Sequence, residues 1–305
     1  VPVPERADRS DADDPAPVPG GDDRPFRLIA DPRVAAAMRF AEARLDAPMT
    51  TAALAAAVGL SQFHFLRLFQ AQTGETVSDY SRRIRLDAAA RTLRTSPETI
   101  VSIALSVGYG SQAAFTRAFT ARFGRSPANY RRGTRRAVAI DAARQRPVPI
   151  RSVGTIHCLG RRYLGLRPGE AEPWHDFLSA LPPGSAARRD RRLLRVVHDD
   201  PRVTPPEQIR IDCCLVGTER AGEDRDLAAR GFLPFEIVAG TYAAVGGTES
   251  GIGGAGDDLL DIWLARQGRY RLRGGAGRLE FRDAAAQPDA GETLVPIRAL
   301  GTDAT

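Results

Sequence analysis

LAAAVGLSQFHFLRLFQAQTGETVSDY, residues 54–80, and IALSVGYGSQAAFTRAFTARFGRSPANY, residues 103–130, say the same thing twice. Leu54, Ala55, Val58 and Gly59 return as Ile103, Ala104, Val107 and Gly108. After one inserted residue, Ser61, Arg67, Phe69, Gly74 and Tyr80 return as Ser111, Arg117, Phe119, Gly124 and Tyr130. A repeat of this length is one supersecondary unit used twice. In each copy a short Ala-rich helix ends at a glycine, which suits the left-handed conformation that stops a helix. Ser61 or Ser111 follows in N-cap position, where a hydroxyl satisfies the orphan donors of the next helix. Helix, tight turn, helix is the unit that lays its second helix in a DNA major groove.

The flanks extend the pattern. Asp31 to Arg44 reads as a first helix, striped by Val34, Met38, Phe40, Ala41 and Leu45. Thr50 or Thr51 caps the next helix. In SQFHFLRLFQAQT, Phe65, Leu68 and Phe69 recur at helical spacing and face a core, leaving Gln62, Phe63, Leu66, Arg67 and Gln70 outward. His64 sits at the inward edge. In SQAAFTRAFTARF, Phe115, Phe119 and Phe123 point inward, and Gln112, Ala113, Thr116, Arg117 and Thr120 outward. An amphipathic helix over Val77 to Thr95 joins the two units. Pro127 opens a last short helix behind the cap Ser126, and Tyr80 and Tyr130 pack behind their reader helices.

Charge follows this layout. Residues 1–30 hold 4 Arg and 7 acidic residues, residues 31–136 hold 16 Arg and 7 acidic residues, and the remainder holds 23 of each. The net +6 therefore conceals −3, +9 and 0. A basic segment is what a polyanion surface needs, because neutralised phosphates release counterions. The chain has no lysine, so phosphate contacts fall to arginine, hydroxyls, amides and helix N-termini.

Residues 31–132 resemble the DNA-binding module of the AraC/XylS family, most diagnostically in GYGSQAAFTRAFTARFGRSPANYR. The resemblance implies an all-α domain of two helix-turn-helix units joined by a long helix. It assigns base reading to Phe63, Leu66 and Arg67, with Gln62 beside them, and to Gln112, Ala113, Thr116 and Arg117. Chemistry agrees in part: Arg reads guanine and Gln reads adenine in bidentate fashion, whereas Leu66 offers only apolar contact to a thymine methyl.

After Arg136 the composition changes. VPIRSVGTIHCLGRRYLGL alternates as strands do, and a helix follows over Pro173 to Leu181. LLRVVHD and QIRIDCCLVG read as strands, LPFEIVAGTYAAVGG as a strand, GDDLLDIWLAR as a helix, and GRLEFRD and ETLVPIRAL as strands. The expectation is an α+β domain of two β-α-β-β half-repeats on an antiparallel sheet. The four parts are a disordered tail over 1–30, the DNA-binding domain over 31–136, a linker over 137–147 and this domain over 148–302.

Residues 148–300 resemble the GyrI-like small-molecule-binding domain, through VPIRSVGTIHCLGRRYLGL, HDDP, AGTYAAV, DIWLARQGRYRL, LEFRD and LVPIRAL in that order. The resemblance implies a cavity between the half-repeats holding a strand glutamate, here Glu280. Its candidate walls are Tyr163, Trp174, Phe177, Tyr242, Trp263 and Tyr270. A carboxylate among rings suits an aromatic or cationic effector, through charge pairing and cation–π attraction. The Gly-rich GGTESGIGGAG over 246–256 lacks the lysine and spacing of a phosphate loop and reads as a flexible loop.

No catalytic signature, metal-ligand spacing or cofactor motif stands out, and the three cysteines Cys158, Cys213 and Cys214 read as small core hydrophobes. No apolar run is long enough to span a membrane and no signal-peptide pattern opens the chain, so a cytoplasmic setting is expected. The reading is a transcriptional regulator, not an enzyme. Its expected partners are double-stranded promoter DNA, a small-molecule effector and RNA polymerase. The alternatives for the second half are a GyrI-like hydrolase of a reactive drug and a protein-interaction module.

Overall fold

The computed structural model describes residues 26–47, 49–140, 148–165, 173–184, 192–217, 221–245, 255–267, 269–273, 277–282 and 293–299. The tail before residue 26, most of the 137–147 linker and most of the 246–256 loop lie outside these residues.

The first half is helical: α1 (Pro32–Glu42), α2 (Thr51–Ala57), α3 (Gln62–Thr73), α4 (Val77–Thr95), α5 (Ile100–Ser106), α6 (Gln112–Phe123) and α7 (Pro127–Ile140). Each start has a side-chain cap. Asp31, Thr50, Ser61, Thr76, Thr99, Ser111 and Ser126 accept from backbone amides two or three residues on, at 2.8–3.4 Å. The turns inside the units and the ends of the reader helices place Gly59, Gly74, Gly108 and Gly124 at φ of 68–77°, where a Cβ is costly. The α4 span matches its reading from sequence. The last helix is longer than expected, continuing to Ile140 through the first residues assigned to a linker.

The second half carries a sheet whose described pairings are all antiparallel. Its elements are β2 (Ile150–Val153), β3 (Ile156–Leu164), α8 (Trp174–Ser179), β4 (Arg192–Val197), β5 (Arg210–Val216), α9 (Ala221–Ala229), β6 (Leu233–Ile237), β7 (Gly240–Val245), α10 (Ala255–Gln267), β8 (Tyr270–Leu272), β9 (Arg278–Arg282) and β10 (Thr293–Ala299). The order across the sheet is β3-β5-β4-β9-β10-β7-β2, with β6 also on β3 and β8 also on β10.

Three expectations are corrected here. LPFEIVAGTYAAVGG is two strands: β6 pairs with β3 and β7 with β10 and β2, broken at the exposed Val238. Helix α9 and strand β8 lie where no element was expected, so the simple β-α-β-β pattern is interrupted. The segment 26–30 is not tail: Arg27–Leu28 form β1, an antiparallel edge strand on β3, and Ile29 and Phe26 pack into the cores. Ile29 is buried and Phe26 and Leu28 half-buried for the usual hydrophobic reason, which the acidic, Pro-rich composition around them conceals.

Candidate nucleic-acid interface and sensor residues

The two reader helices are built alike down to their rings. Phe65 and Phe69 are fully buried with centroids 5.5 Å apart, and Tyr80 lies edge-on to Phe69 at 5.3 Å. In the second unit Phe115 and Phe119 are 5.4 Å apart and Tyr130 is edge-on to Phe119 at 5.3 Å. These wedges set which face of each helix is free. On α3, Gln62, Phe63, Leu66, Arg67 and Gln70 are exposed, Phe63 at 71% and Leu66 at 37%. The Arg67 guanidinium carbon lies 5.9 Å from the Phe63 ring centre. On α6, Gln112, Ala113, Arg117 and Thr120 are exposed and Thr116 is half-buried; Leu68, His64 and Phe123 are half-buried at the margins.

Chemically, both faces combine amide and guanidinium donors with apolar contact, the set that reads base edges. Two capped units of equal geometry on the net-positive part of the chain define a double helix-turn-helix protein. A family model described as a helix-turn-helix domain matches residues 54–133. The transcriptional regulator Rob of Salmonella typhimurium is 40% identical over 93 residues, 30% of this chain and 32% of Rob. Regulatory protein SoxS of Escherichia coli is 39% identical over 87 residues, 28% of this chain and 81% of SoxS. A solved AraC-type regulator from Chromobacterium violaceum is 29% identical, covering 34% of this chain and 92% of its own, with a TM-score of 0.33. The chain belongs to the AraC-type helix-turn-helix family. Its match spans about a third of the length of Rob.

The effector candidates are not gathered in one place. Tyr163, Trp174 and Phe177 belong to the cluster under α8, Tyr242 to the opposite face of the sheet, and Trp263 and Tyr270 to the cluster under α10. Trp263 and Tyr270 stack at 5.9 Å, and the Tyr163 hydroxyl donates to Asp176 at 2.9 Å. The shared aromatic cavity expected from sequence is therefore corrected to three separate packing sites. Side chains alternate across a strand, and the six rings come from five different elements. Glu280 on β9 is buried, and Arg195 on β4 donates to its Oε2 at 2.7 Å. Its charge is already compensated by a cation within the chain, which spacing along the sequence does not show. Its Oε1 has no hydrogen-bond partner among the described residues.

Sequence reasoning missed the junction between the halves. Arg162 on β3 is fully buried, donating to Glu42 of α1 at 2.5 Å and to Asp212 of β5 at 2.8 Å. Arg210 on β5 donates to Asp199 at 2.6 Å and lies 2.9 Å from Glu42, and Tyr80 donates to Glu42 at 3.0 Å. Burial by itself raises the Glu42 carboxyl, but Arg162 and Arg210 outweigh it and hold it at about 2. Burial pushes Asp87 on α4 up to about 6, against the pull of Arg122 at 2.7 Å. Further along α4, Arg94 pairs with Asp261 of α10 at 2.7 Å, and Arg271 of β8 with Glu98 at 2.6 Å. The only sequence cue was an unusual density of Arg and Asp inside otherwise apolar strands.

No single helix among the described residues is long and apolar enough to cross a membrane.

Proposed function

We propose that the chain is a sequence-specific DNA-binding transcriptional regulator whose α3 and α6 each enter a major groove, two turns in succession roughly 34 Å apart. One observation carries the reading: two units with the same caps, ring wedges and outward faces, joined by one helix, within the net-positive third of the chain. Gln62, Phe63, Leu66 and Arg67 read one segment, and Gln112, Ala113, Thr116 and Arg117 the other. The two faces differ, so one chain reads a non-palindromic site. Footprinting tests this directly. Arg67→Ala and Arg117→Ala should each relax specificity at one base position, costing about 1–3 kcal/mol. Uniform weakening on every sequence would make them phosphate contacts and remove the reader assignment.

We further propose that the second half is a GyrI-like effector domain that acts on transcription with promoter DNA and RNA polymerase. The strand order supports two half-repeats: β3-β5-β4 on one side is answered by β7-β10-β9 on the other. Glu280 sits on β9, beside the central β4–β9 seam. With Oε2 held by Arg195, its free Oε1 suits an effector that donates a hydrogen bond, and a cationic one must compete with Arg195. Calorimetry with Glu280→Gln tests it: loss of donor-bearing aromatic ligands supports the anchor, and unchanged binding removes it.

A further inference from the structure

Between the halves lies a cavity of about 310 Å3. One side is walled by the end of α1 and the turn after it through Asp46, by α4 at Ala88 and Arg91, and by the C-terminal end of α5 at Val107. Arg271, Leu272 and Arg273 at β8 and Arg298 on β10 complete it. Its wall is apolar at Leu45, Ala88, Val107 and Leu272 and cationic at four arginines. Of its acids, Glu42 is engaged by Arg162 and Arg210 and Glu98 by Arg271, while Asp46 is exposed to solvent.

Arg91 decides the polarity. Arg91 lines this cavity and two smaller hollows, and its guanidinium donates to a neutral acceptor, the His198 carbonyl, at 3.2 Å. The carboxylates that act on it are taken by others: Asp200 by Arg202 at 2.8 Å and Asp199 by Arg210 at 2.6 Å. Across the cavity, Arg273 likewise donates to neutral oxygens, the carbonyls of Val238 and Ala239 and the Tyr242 hydroxyl. Both guanidinium groups are partly desolvated and held by neutral oxygens, and a cation so placed favours an anion beside it.

We infer that this junction cavity binds an amphipathic organic anion, an aromatic or aliphatic carboxylate, with Arg91 from the DNA-binding half and Arg273 from the sheet half as its charged contacts. The volume suits a compact ligand. The apolar patch takes its body, and the two guanidinium groups take its carboxylate. The site is separate from Glu280 and does not depend on any effector there. Because its walls come from both halves, occupancy ties their relative placement to the ligand.

The test is calorimetry on the full chain with three probes of one shape: 2-naphthoate, neutral 2-naphthamide and 2-naphthylmethylammonium. Naphthoate should bind about tenfold or more tighter than either of the others, as one charge-assisted contact implies. Arg91→Met should abolish that preference, with circular dichroism confirming a folded chain. Should Arg91→Met not fold, Arg273→Gln on the opposite wall carries the same expectation. Glu280→Gln should leave naphthoate binding unchanged. In a Glu280→Gln background, which removes that carboxylate's pull on the amide and ammonium probes, equal affinity for the three probes, no naphthoate binding at millimolar concentration, or a preference that survives in the folded arginine variants overturns the site. Loss of naphthoate binding in Glu280→Gln overturns it as well, by placing the anion elsewhere.

Discussion

Arg162 shows how a single residue holds two halves together. It is an arginine in the middle of a strand, fully buried, and its guanidinium is forked between Glu42 of one half and Asp212 of the other. A guanidinium matches two carboxylates at once because its donors lie in one plane. Replacing it with an apolar side chain leaves those carboxylates in the interior with Arg210 and Arg39 as their remaining cations. Arg162→Met should therefore destabilise by about 3–5 kcal/mol, read from the urea midpoint. The triple change with Glu42→Gln and Asp212→Asn should recover much of the loss, since it removes the orphaned charges too. A single change costing under about 1 kcal/mol would mean that water reaches the junction and that the network is structural ornament. The sequence hinted at charges inside strands but not at which of them meet. Glu42, Arg162 and Asp212 stand far apart along the chain, and residue type alone does not say which charges meet.

Elements were more legible, because local chemistry decides them. The caps at Asp31, Ser61, Ser111 and Ser126 and the inward phase of Phe65, Phe69, Phe115 and Phe119 follow from positions a few residues apart. The glycines of the two turns look interchangeable in sequence, and the fold separates them. Gly59 at φ 68° has open space where a Cβ would stand, whereas at Gly108, φ 77°, that atom would meet the Leu45 carbonyl at 2.8 Å and the Asp46 carbonyl at 3.1 Å. Gly59→Ala should cost only the left-handed strain, about 1–2 kcal/mol, and Gly108→Ala clearly more, because the strand of backbone after α1 must move as well. Thermal unfolding of the two variants side by side checks the order; equal losses would show that the 45–46 turn yields freely. The misread strand over 233–247 has a similar origin. An unbroken apolar run resembles one strand, but Arg273 packs over Gly240 and the chain changes partner there, from β3 to β10. Strand pairing is a long-range property and hydropathy is a local one.

For the whole molecule, the sequence showed where the charge lies but not that the halves share a core. Leu164 and Leu233 pack into the cluster around α1–α4, Val203 into the one around α4–α7, and Thr204 donates to Asp87 at 2.9 Å. A junction of this kind makes stability respond to pH in two opposite ways. Glu42 is held at about 2 against an ordinary 4.5, so its contribution is complete above 4.5 and is lost as pH falls toward 2. Asp199 and Asp200 act in the same direction, since burial is outweighed by Arg210 and by Arg202. Asp87 runs the other way: raised to about 6 from 3.8, it favours the folded chain while protonated, and that gain disappears as pH rises from about 4 through 6. The slope of stability with pH follows the difference in bound protons, and each of the two shifts is worth on the order of 3 kcal/mol across its window. Stability should therefore peak between about pH 4 and 5, falling steeply on the acid side and gently toward neutral. Asp87→Asn cannot ionise, so it should shrink the gentle decline, to which Asp261, raised by its own burial, also contributes, and move the maximum toward neutral pH. Glu42→Gln should flatten the acid limb at the expense of stability at pH 7. Calorimetric melting of the three proteins from pH 3 to 8 decides it; a wild-type curve that climbs steadily to pH 7, with Asp87→Asn parallel to it, would show that Asp87 is ionised in the folded chain and that Arg122 outweighs its burial.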